Sequence, residues 1–179
     1  MIIHEKPSPP QVPPSDAAPG AASGFLADYL PFLLALASAA ASDGFHAFVR
    51  SRGLRVPEWR VLACLHDCDG TMITRLAAQA LMEQSAMTRV IERMEERGLV
   101  ARRSDPRDRR RARVHLTPEG RVLAGDLVAR AQADDAELMA MLPPEQRDTL
   151  KPLLCAFLAA QNRNILNAGP AGQDGDDLA

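Results

Sequence analysis

Residues 76–120 read LAAQALMEQSAMTRVIERMEERGLVARRSDPRDRRRARVHLTPEG, and this segment carries most of the information on the fold. Its first part belongs to two short helices, predicted over residues 72–81 and 84–97 from apolar side chains that recur at helical spacing. Met82 and Glu83 lie between the helices, and Gly98 ends the second one. Two short helices joined by a tight break are typical of a helix-turn-helix.

A basic β-hairpin follows the second helix. Residues 99–104 and 111–116 are predicted to be short strands on either side of a polar, turn-forming segment. Seven arginines against two aspartates between Val100 and Arg113 give a charge of +5, which leaves −7 for the rest of a chain whose net charge is −2. A basic island in an acidic chain indicates nucleic-acid binding, although a solvated charged hairpin is the structural alternative.

The polar side of the second helix and the hairpin supply the candidate DNA contacts. Such a helix can enter a major groove, where arginine can bind guanine, glutamine can bind adenine, and serine or threonine can bind either bases or phosphates. The hairpin arginines suit phosphates and a narrow minor groove. The candidate DNA-binding residues are Gln84, Ser85, Ala86, Thr88, Arg89, Arg93, Arg103, Arg107, Asp108, Arg109 and Arg110.

The remaining polar residues of the second helix are interpreted differently. Glu92 either repels phosphate or orients Arg89 through an i, i+3 pair, and the second interpretation is favoured. Glu95, Glu96 and Arg97 are expected on the solvated helix surface.

The rest of the folded body is predicted to be helical. Apolar periodicity indicates helices over residues 28–52, 57–68, 118–141 and 145–164, so the fold class is mainly α with a small β-wing, a winged helix-turn-helix. Its apolar run at 29–41 is too short to span a bilayer and is interpreted as a buried helix.

The two ends of the chain are expected to be unstructured. Residues 1–22 hold six prolines and are expected to form a disordered tail, and residues 167–179 are expected to form a flexible one. The start of the chain shows no signal peptide, so we expect a cytoplasmic protein without a membrane partner.

Several segments, in this order and at this spacing, resemble the MarR family of bacterial regulators. The matching segments are 56–62, 76–89, 98–100, 105–110 and 116–120, within a resemblance that covers about residues 28–165. Leu81 and Glu83 depart from the family, which usually has glycine and a capping serine or aspartate at these positions. Glutamate is a poor N-cap, so the departure bears on how the second helix begins.

The resemblance implies an architecture and a partner. It implies a MarR-type domain over residues 23–166, with a DNA-binding lobe at about 56–117 and dimerisation helices at about 28–52, 118–141 and 145–165. It implies a homodimer on a palindromic operator in double-stranded DNA, with half-sites about one helical turn apart. It also implies that Asp108 braces the wing by pairing with an arginine, that Arg110 enters the minor groove, and that residues 85–89 meet bases and phosphates.

The resemblance further implies an effector cavity between the DNA-binding lobe and the dimerisation helices. Candidate ligand-binding residues are His46, Arg50, Trp59, Arg60 and His66, each of which has a structural or solvated alternative. Apolar walls with one or two cationic anchors would suit an aromatic carboxylate or its thioester.

Metal, cofactor and catalytic sites are not expected. Three cysteines are too few and too scattered for a disulfide framework. Cys64 and Cys68 lie one helical turn apart, but His66 points away from both, which argues against zinc. A redox role needs an electropositive setting, and the acidic neighbours of Cys68 favour a structural role instead. No phosphate-binding loop or nucleophile motif is visible, so we do not expect an enzyme.

The sequence therefore predicts a transcription regulator, a repressor released from its operator by a small aromatic or phenolic ligand. One alternative is an architectural DNA-binding protein that needs no effector, which would show weak sequence preference and steep salt dependence. Another is a winged helix whose arginines bind an acidic protein partner.

Overall fold

The computed structural model describes residues 24–105 and 111–161. The chain divides into two compact units, Met1–Ala40 and Ala41–Ala179. In the first unit a short helix, α1 (Phe25–Asp28), is followed by the start of α2 (Leu30–Ser51). Tyr29 between them is extended, with φ −84° and ψ 100°. Pro31 has no N–H to donate to the carbonyl four residues earlier, so the first helix stops here.

The apolar helix α2 is long and largely exposed. Its 22 residues are long and apolar enough to cross a membrane, a test that the core helix of a soluble protein also passes. No residue in the described range 24–40 is buried, and Leu30, Leu33 and Leu36 are about half exposed. The prediction of a buried helix over 29–41 was therefore wrong. An apolar run is equally compatible with a helix that buries its face only against another molecule.

The second unit contains the end of α2 and the elements that form the predicted DNA-binding lobe. In chain order the described elements are α3 (Val56–Asp67), β1 (Thr71–Met72), α4 (Ile73–Gln79), α5 (Gln84–Glu96), β2 (Val100–Ser104), β3 (Ala112–Leu116), α6 (Pro118–Ala140) and α7 (Pro144–Ala160). The predicted class, mainly helical with a small β-wing, is confirmed.

The core of this unit lies between α3, α5, the sheet and the first half of α6. The apolar faces follow from sequence spacing, because residues three and four apart lie on one side of a helix. The fully buried side chains come from these elements and from α4, and they include Leu62, Leu65, Leu76, Met87, Ile91, Met94, Val114 and Leu127.

The sheet has the order β1-β3-β2, and both strand pairs are antiparallel. β2 and β3 pair from Val100 opposite Leu116 to Ser104 opposite Ala112. β1 adds a two-residue edge next to β3, and the sequence analysis missed it because two residues are too few to show strand periodicity. Gly70 precedes β1 with φ 75°, and a Cβ there would lie 2.7 Å from a ring atom of His115.

Helices α6 and α7 are joined by a short turn at two prolines. The Arg147 guanidinium donates to the Met139 carbonyl at 3.0 Å and to the Leu142 carbonyl at 3.1 Å, so a side chain of α7 ties that helix to the end of α6 and the turn after it. α7 itself has no buried residue. The tails predicted at 1–22 and 167–179, and the predicted helix end at 164, lie outside the described residues.

Candidate nucleic-acid interface

The helix α5 separates an apolar side from a polar side. Met87, Val90, Ile91 and Met94 are buried and fix the helix on the core. Gln84, Ser85 and Arg89 are exposed, while Ala86, Thr88 and Arg93 are half-buried. The predicted DNA-contacting residues of α5 therefore lie away from the side that packs on the core.

Two of these side chains have local constraints. The Thr88 hydroxyl donates to the Gln84 carbonyl at 3.0 Å, so it is oriented along its own helix. The Arg93 Nε is buried and has no hydrogen-bond partner among the described residues. A buried donor without a partner costs free energy.

The turn before α5 is built from residues that do not favour it. Leu81 has φ 56°, in the left-handed region that favours glycine, and its side chain is 67% exposed. Glu83 is the N-cap of α5 but makes no side-chain capping hydrogen bond. The two residues that depart from the family pattern, Leu81 and Glu83, therefore both lie in this turn.

The wing strand β2 is held against α5 through Arg102. The Arg102 N–H donates to Oε1 of Glu95 at 3.0 Å, and its Nε donates to Oε2 of the same carboxylate at 2.9 Å. Its Nη1 lies 3.9 Å from Glu92. The hydrogen bond from the Arg102 main chain, more than the guanidinium, lowers the pKa of Glu95. Glu92 and Glu95 therefore face Arg102, where the sequence analysis had paired Glu92 with Arg89 and left Glu95 to solvent.

A second contact braces the base of the wing. Asp105 is buried and forms an ion pair with Arg113, and its N–H donates to the Arg111 carbonyl at 2.9 Å. Arg113 also donates to the Gly70 carbonyl at 3.0 Å, which ties β3 to the turn before β1. The resemblance assigned the bracing role to Asp108, which lies outside the described residues.

The predicted wing contacts are described only in part. Arg103 is exposed on β2, opposite Arg113 on β3. Arg107, Arg109 and Arg110 lie outside the described residues, together with Asp108.

Asp69 links the turn after α3 to the start of α6. It accepts the Leu116 N–H at 2.8 Å and the Arg121 guanidinium at 2.8 Å, and His115 lies 3.7 Å away. Partial burial by itself would raise the pKa of Asp69, but the Leu116 N–H, Arg121 and His115 together lower it. Asp69 therefore connects α3, β3 and α6 through its ionised form.

A buried carboxylate joins α3 to the end of α5. Glu58 is 2% exposed, accepts the Arg55 N–H at 2.7 Å and lies 3.3 Å from the Arg97 guanidinium. Arg97, which the sequence analysis assigned to solvated surface, is thus the partner of a buried charge. A glutamate three residues after a helix start indicates the contact of Glu58 with the Arg55 N–H, but this local pattern does not reveal the pairing with Arg97.

The candidate ligand-binding residues do not form one cluster. His46 is half-buried and Arg50 exposed on α2, while the Arg60 guanidinium donates to the Ala80 carbonyl at 3.0 Å and so joins α3 to α4. His66 is exposed beside Asp67, at 3.7 Å. It follows Trp59 by about two helical turns, roughly 10 Å along the axis.

Trp59 instead packs in an aromatic group with Phe45 and Phe48, and two arginines lie beside this group. Its ring lies edge-on to Phe45, with centroids 4.9 Å apart, and Phe48 is 6.3 Å from Phe45. The guanidinium carbon of Arg130 is 4.8 Å from the centre of the Phe48 ring, and that of Arg52 is 5.8 Å away. Arg130 could not be predicted at this position because α6 meets α2 only in the folded chain, whereas Arg52 follows Phe48 by four residues, a spacing that places two side chains on one side of a helix.

The surroundings of Cys64 do not activate its thiol. Cys64 is half-buried, and burial, followed by the charge of Asp67, raises the pKa of its thiol. A raised pKa disfavours the thiolate that redox sensing requires. Within residues 24–105 and 111–161, no group of three metal-ligating side chains comes together.

Comparison with known proteins identifies the family of this arrangement. The model of the MarR family matches residues 54–112. The HTH-type transcriptional repressor Rv2887 of Mycobacterium tuberculosis is 32% identical over 131 residues, which are 72% of this chain and 94% of that protein. Its structure in complex with salicylic acid is 30% identical, with a TM-score of 0.59 over 72% of this chain and 96% of that one.

Two further solved structures match most of this chain. The MarR family regulator SPO1453 from Silicibacter pomeroyi DSS-3 is 48% identical, with a TM-score of 0.72 over 78% of this chain and 99% of that chain. CouR from Rhodococcus jostii RHA1, bound to p-coumaroyl-CoA, is 29% identical, with a TM-score of 0.66 over 82% of this chain and 99% of that one. By these matches the chain belongs to the MarR family of DNA-binding transcriptional regulators.

Proposed function

We propose that this protein is a repressor that binds a palindromic operator as a homodimer and is released by an aromatic acid or its coenzyme A thioester. The observation that carries the proposal is the polar face of α5, fixed on a buried core beside an arginine-bearing wing. Residues 56–117 form the DNA-binding lobe in this proposal, and α2, α6 and α7 serve dimerisation.

DNA recognition would begin at the first turns of α5. Gln84, Ser85 and Arg89 are exposed there, and their donor and acceptor groups match base edges and phosphates. Arg103 and the arginines at 107, 109 and 110 would add charge beside the helix and contact phosphates or the minor groove.

Exposed apolar side chains support a homodimer. On α7 they recur at helical spacing, at Leu150, Leu153, Leu154, Phe157 and Leu158, and each is at least 36% exposed. The described start of the chain carries a second such group in α1 and α2. Apolar stripes of this size need a cover in water, and a second copy of the chain would supply one in a symmetric arrangement.

The aromatic group of Phe45, Phe48 and Trp59 supports the choice of ligand. Aromatic faces would bind a ring, and Arg52 or Arg130 would bind a carboxylate or phosphate. Both arginines are neutralised in part by aspartates, Arg52 by Asp126 at 3.7 Å and Arg130 by Asp134 at 2.6 Å. The ligand complexes of Rv2887 and CouR belong to the same two chemical classes.

Release would follow from differential affinity. A ligand that prefers a dimer with a different spacing of its two α5 helices shifts the population away from the DNA-binding form, whereas equal affinity for both forms would release nothing. A coupling free energy of about 2–3 kcal/mol would change operator occupancy strongly.

A mobility-shift assay on the DNA upstream of the protein's own gene tests the proposal. We expect sequence-selective binding at two salt concentrations and release by one member of a panel of aromatic acids and coenzyme A thioesters. Arg89→Ala should weaken binding by about 1–3 kcal/mol without lowering the melting temperature, because Arg89 is exposed. Weak binding that only salt alters would instead favour an architectural protein.

A further inference from the structure

Arg102 uses both its main chain and its side chain on one carboxylate of the neighbouring helix. β2 is an edge strand in the order β1-β3-β2, so one side of its backbone faces away from the sheet. Glu95 accepts the Arg102 N–H at 3.0 Å and the guanidinium Nε at 2.9 Å. Glu92 lies 3.9 Å from the same guanidinium. This three-residue arrangement, Arg102 with Glu92 and Glu95, is the helix–wing clamp.

The clamp neutralises negative charge on α5. Two carboxylates on the helix proposed to enter DNA would repel the phosphates unless a cation neutralises them. The partner here is an arginine of the hairpin, so neutralisation also fixes the middle of β2 against the helix. The side chains of Arg102 and Glu95 keep 37% and 35% exposure, which makes them accessible to change without disturbing the core.

We propose that Arg102 and Glu95 are positioning residues that lock the wing to α5, so that both reach the DNA as one rigid unit, and that Arg102 does not itself bind DNA. The inference rests on the proposed DNA-binding function. A wing that is fixed before binding loses less conformational entropy when the complex forms. A contact away from the DNA can raise affinity in this way. The alternative, an incidental surface pair, would contribute little to affinity.

A charge effect alone and the clamp predict opposite changes in the affinity for operator DNA when the Glu95 side chain is removed. Glu95→Ala and Glu96→Ala each remove one negative charge from neighbouring positions near the end of the same helix. Glu96 is exposed and has no partner among the residues that the structure describes. Without a clamp, both variants should bind operator DNA as tightly as the wild type or more tightly, because repulsion of the phosphates falls.

We expect Glu95→Ala to bind operator DNA about tenfold more weakly than Glu96→Ala, with both variants melting within a few degrees of the wild type. Glu95→Gln, which keeps the shape and one acceptor oxygen, should retain part of the affinity and replaces Glu95→Ala if that variant folds poorly. Equal affinities for the variants at 95 and 96 would overturn the clamp.

The double variant Glu95→Ala/Arg102→Ala separates positioning from direct contact. If Arg102 acts only through Glu95, the double variant binds as weakly as Glu95→Ala alone, because the interaction has already been removed. A further loss of about tenfold would mean that Arg102 contacts phosphate itself, and the proposal would be wrong.

Hydrogen exchange of the free protein tests the clamp without DNA. Glu95→Ala should speed amide exchange in β2 and β3 but leave the amides of α3 unchanged, and Glu96→Ala should change neither. If the wild type does not bind DNA selectively, the proposed function fails while this measurement still decides whether the wing is held. Unchanged exchange in β2 and β3 would overturn the lock.

Discussion

Leu81 carries backbone strain in the turn before α5. Its φ of 56° lies in the left-handed region, where a residue with a side chain is destabilised by about 1 kcal/mol or more relative to glycine. We expect Leu81→Gly to raise the free energy of unfolding by about 1 kcal/mol, measured by urea denaturation. Leu81→Ala keeps the strain and serves as the control, so an equal gain from alanine would attribute the effect to the exposed side chain instead.

Gly120 is required by a close approach of two backbone segments. A Cβ at this position would lie 1.9 Å from the Leu99 carbonyl oxygen, and backbone cannot move aside as a flexible side chain can. We expect Gly120→Ala to lower the free energy of unfolding by about 3 kcal/mol.

Gly125 offers the matched control in the same helix, since a Cβ there meets nothing within 4 Å. Gly125→Ala should raise the free energy of unfolding by roughly 0.5–1 kcal/mol, because alanine loses less chain entropy than glycine in a helix. A thermal melt of both variants suffices, and a Gly120→Ala protein as stable as the wild type would contradict the close approach.

Among the elements, α3, β3 and α6 meet at Asp69, and their connection should depend on pH. The folded chain lowers the pKa of this carboxyl, so its contribution to stability is present above the ordinary aspartate value near 4 and is lost as the pH falls through the lower folded value. We expect Asp69→Asn to be less stable than the wild type at pH 7 and to lose less stability between pH 5 and pH 3.

Urea denaturation at a series of pH values measures this dependence. Asp67→Asn is the control, because the Asp67 side chain is 87% exposed and faces His66 rather than α6. If Asp69→Asn and the wild type lose stability in parallel on acidification, ionised Asp69 does not stabilise the connection between α3, β3 and α6.

The elements also show what could be predicted from sequence. α5 was predictable because Met87, Val90, Ile91 and Met94 repeat at helical spacing, and their burial follows from that pattern alone. β1 was not, because two residues carry no period. The partners of Glu58, Asp69 and Glu95 were missed because each pairs with a residue of another element, and local spacing contains no information on such contacts.

At the scale of the whole molecule, the main feature is the amount of exposed apolar surface on the helices outside the proposed DNA-binding lobe. The stripe of α7 from Leu150 to Leu158 gains no cover from the residues described in a single copy. A 3.6-residue period predicted the helix but could not say whether its apolar face turns to its own core or to a second chain.

A charge in this stripe should therefore separate the proposed dimer. Leu153 is 65% exposed near the middle of the stripe, so Leu153→Glu would place a carboxylate in an apolar interface while costing a monomer little. We expect a monomer by sedimentation velocity and at least tenfold weaker operator binding, since a palindrome is read by two linked lobes. Ala159→Glu adds the same charge to an exposed residue on the side of α7 opposite the stripe and should leave the dimer intact. If Leu153→Glu remains dimeric, the stripe is not the dimer interface, and the cover must be sought at the apolar side chains of α1 and α2.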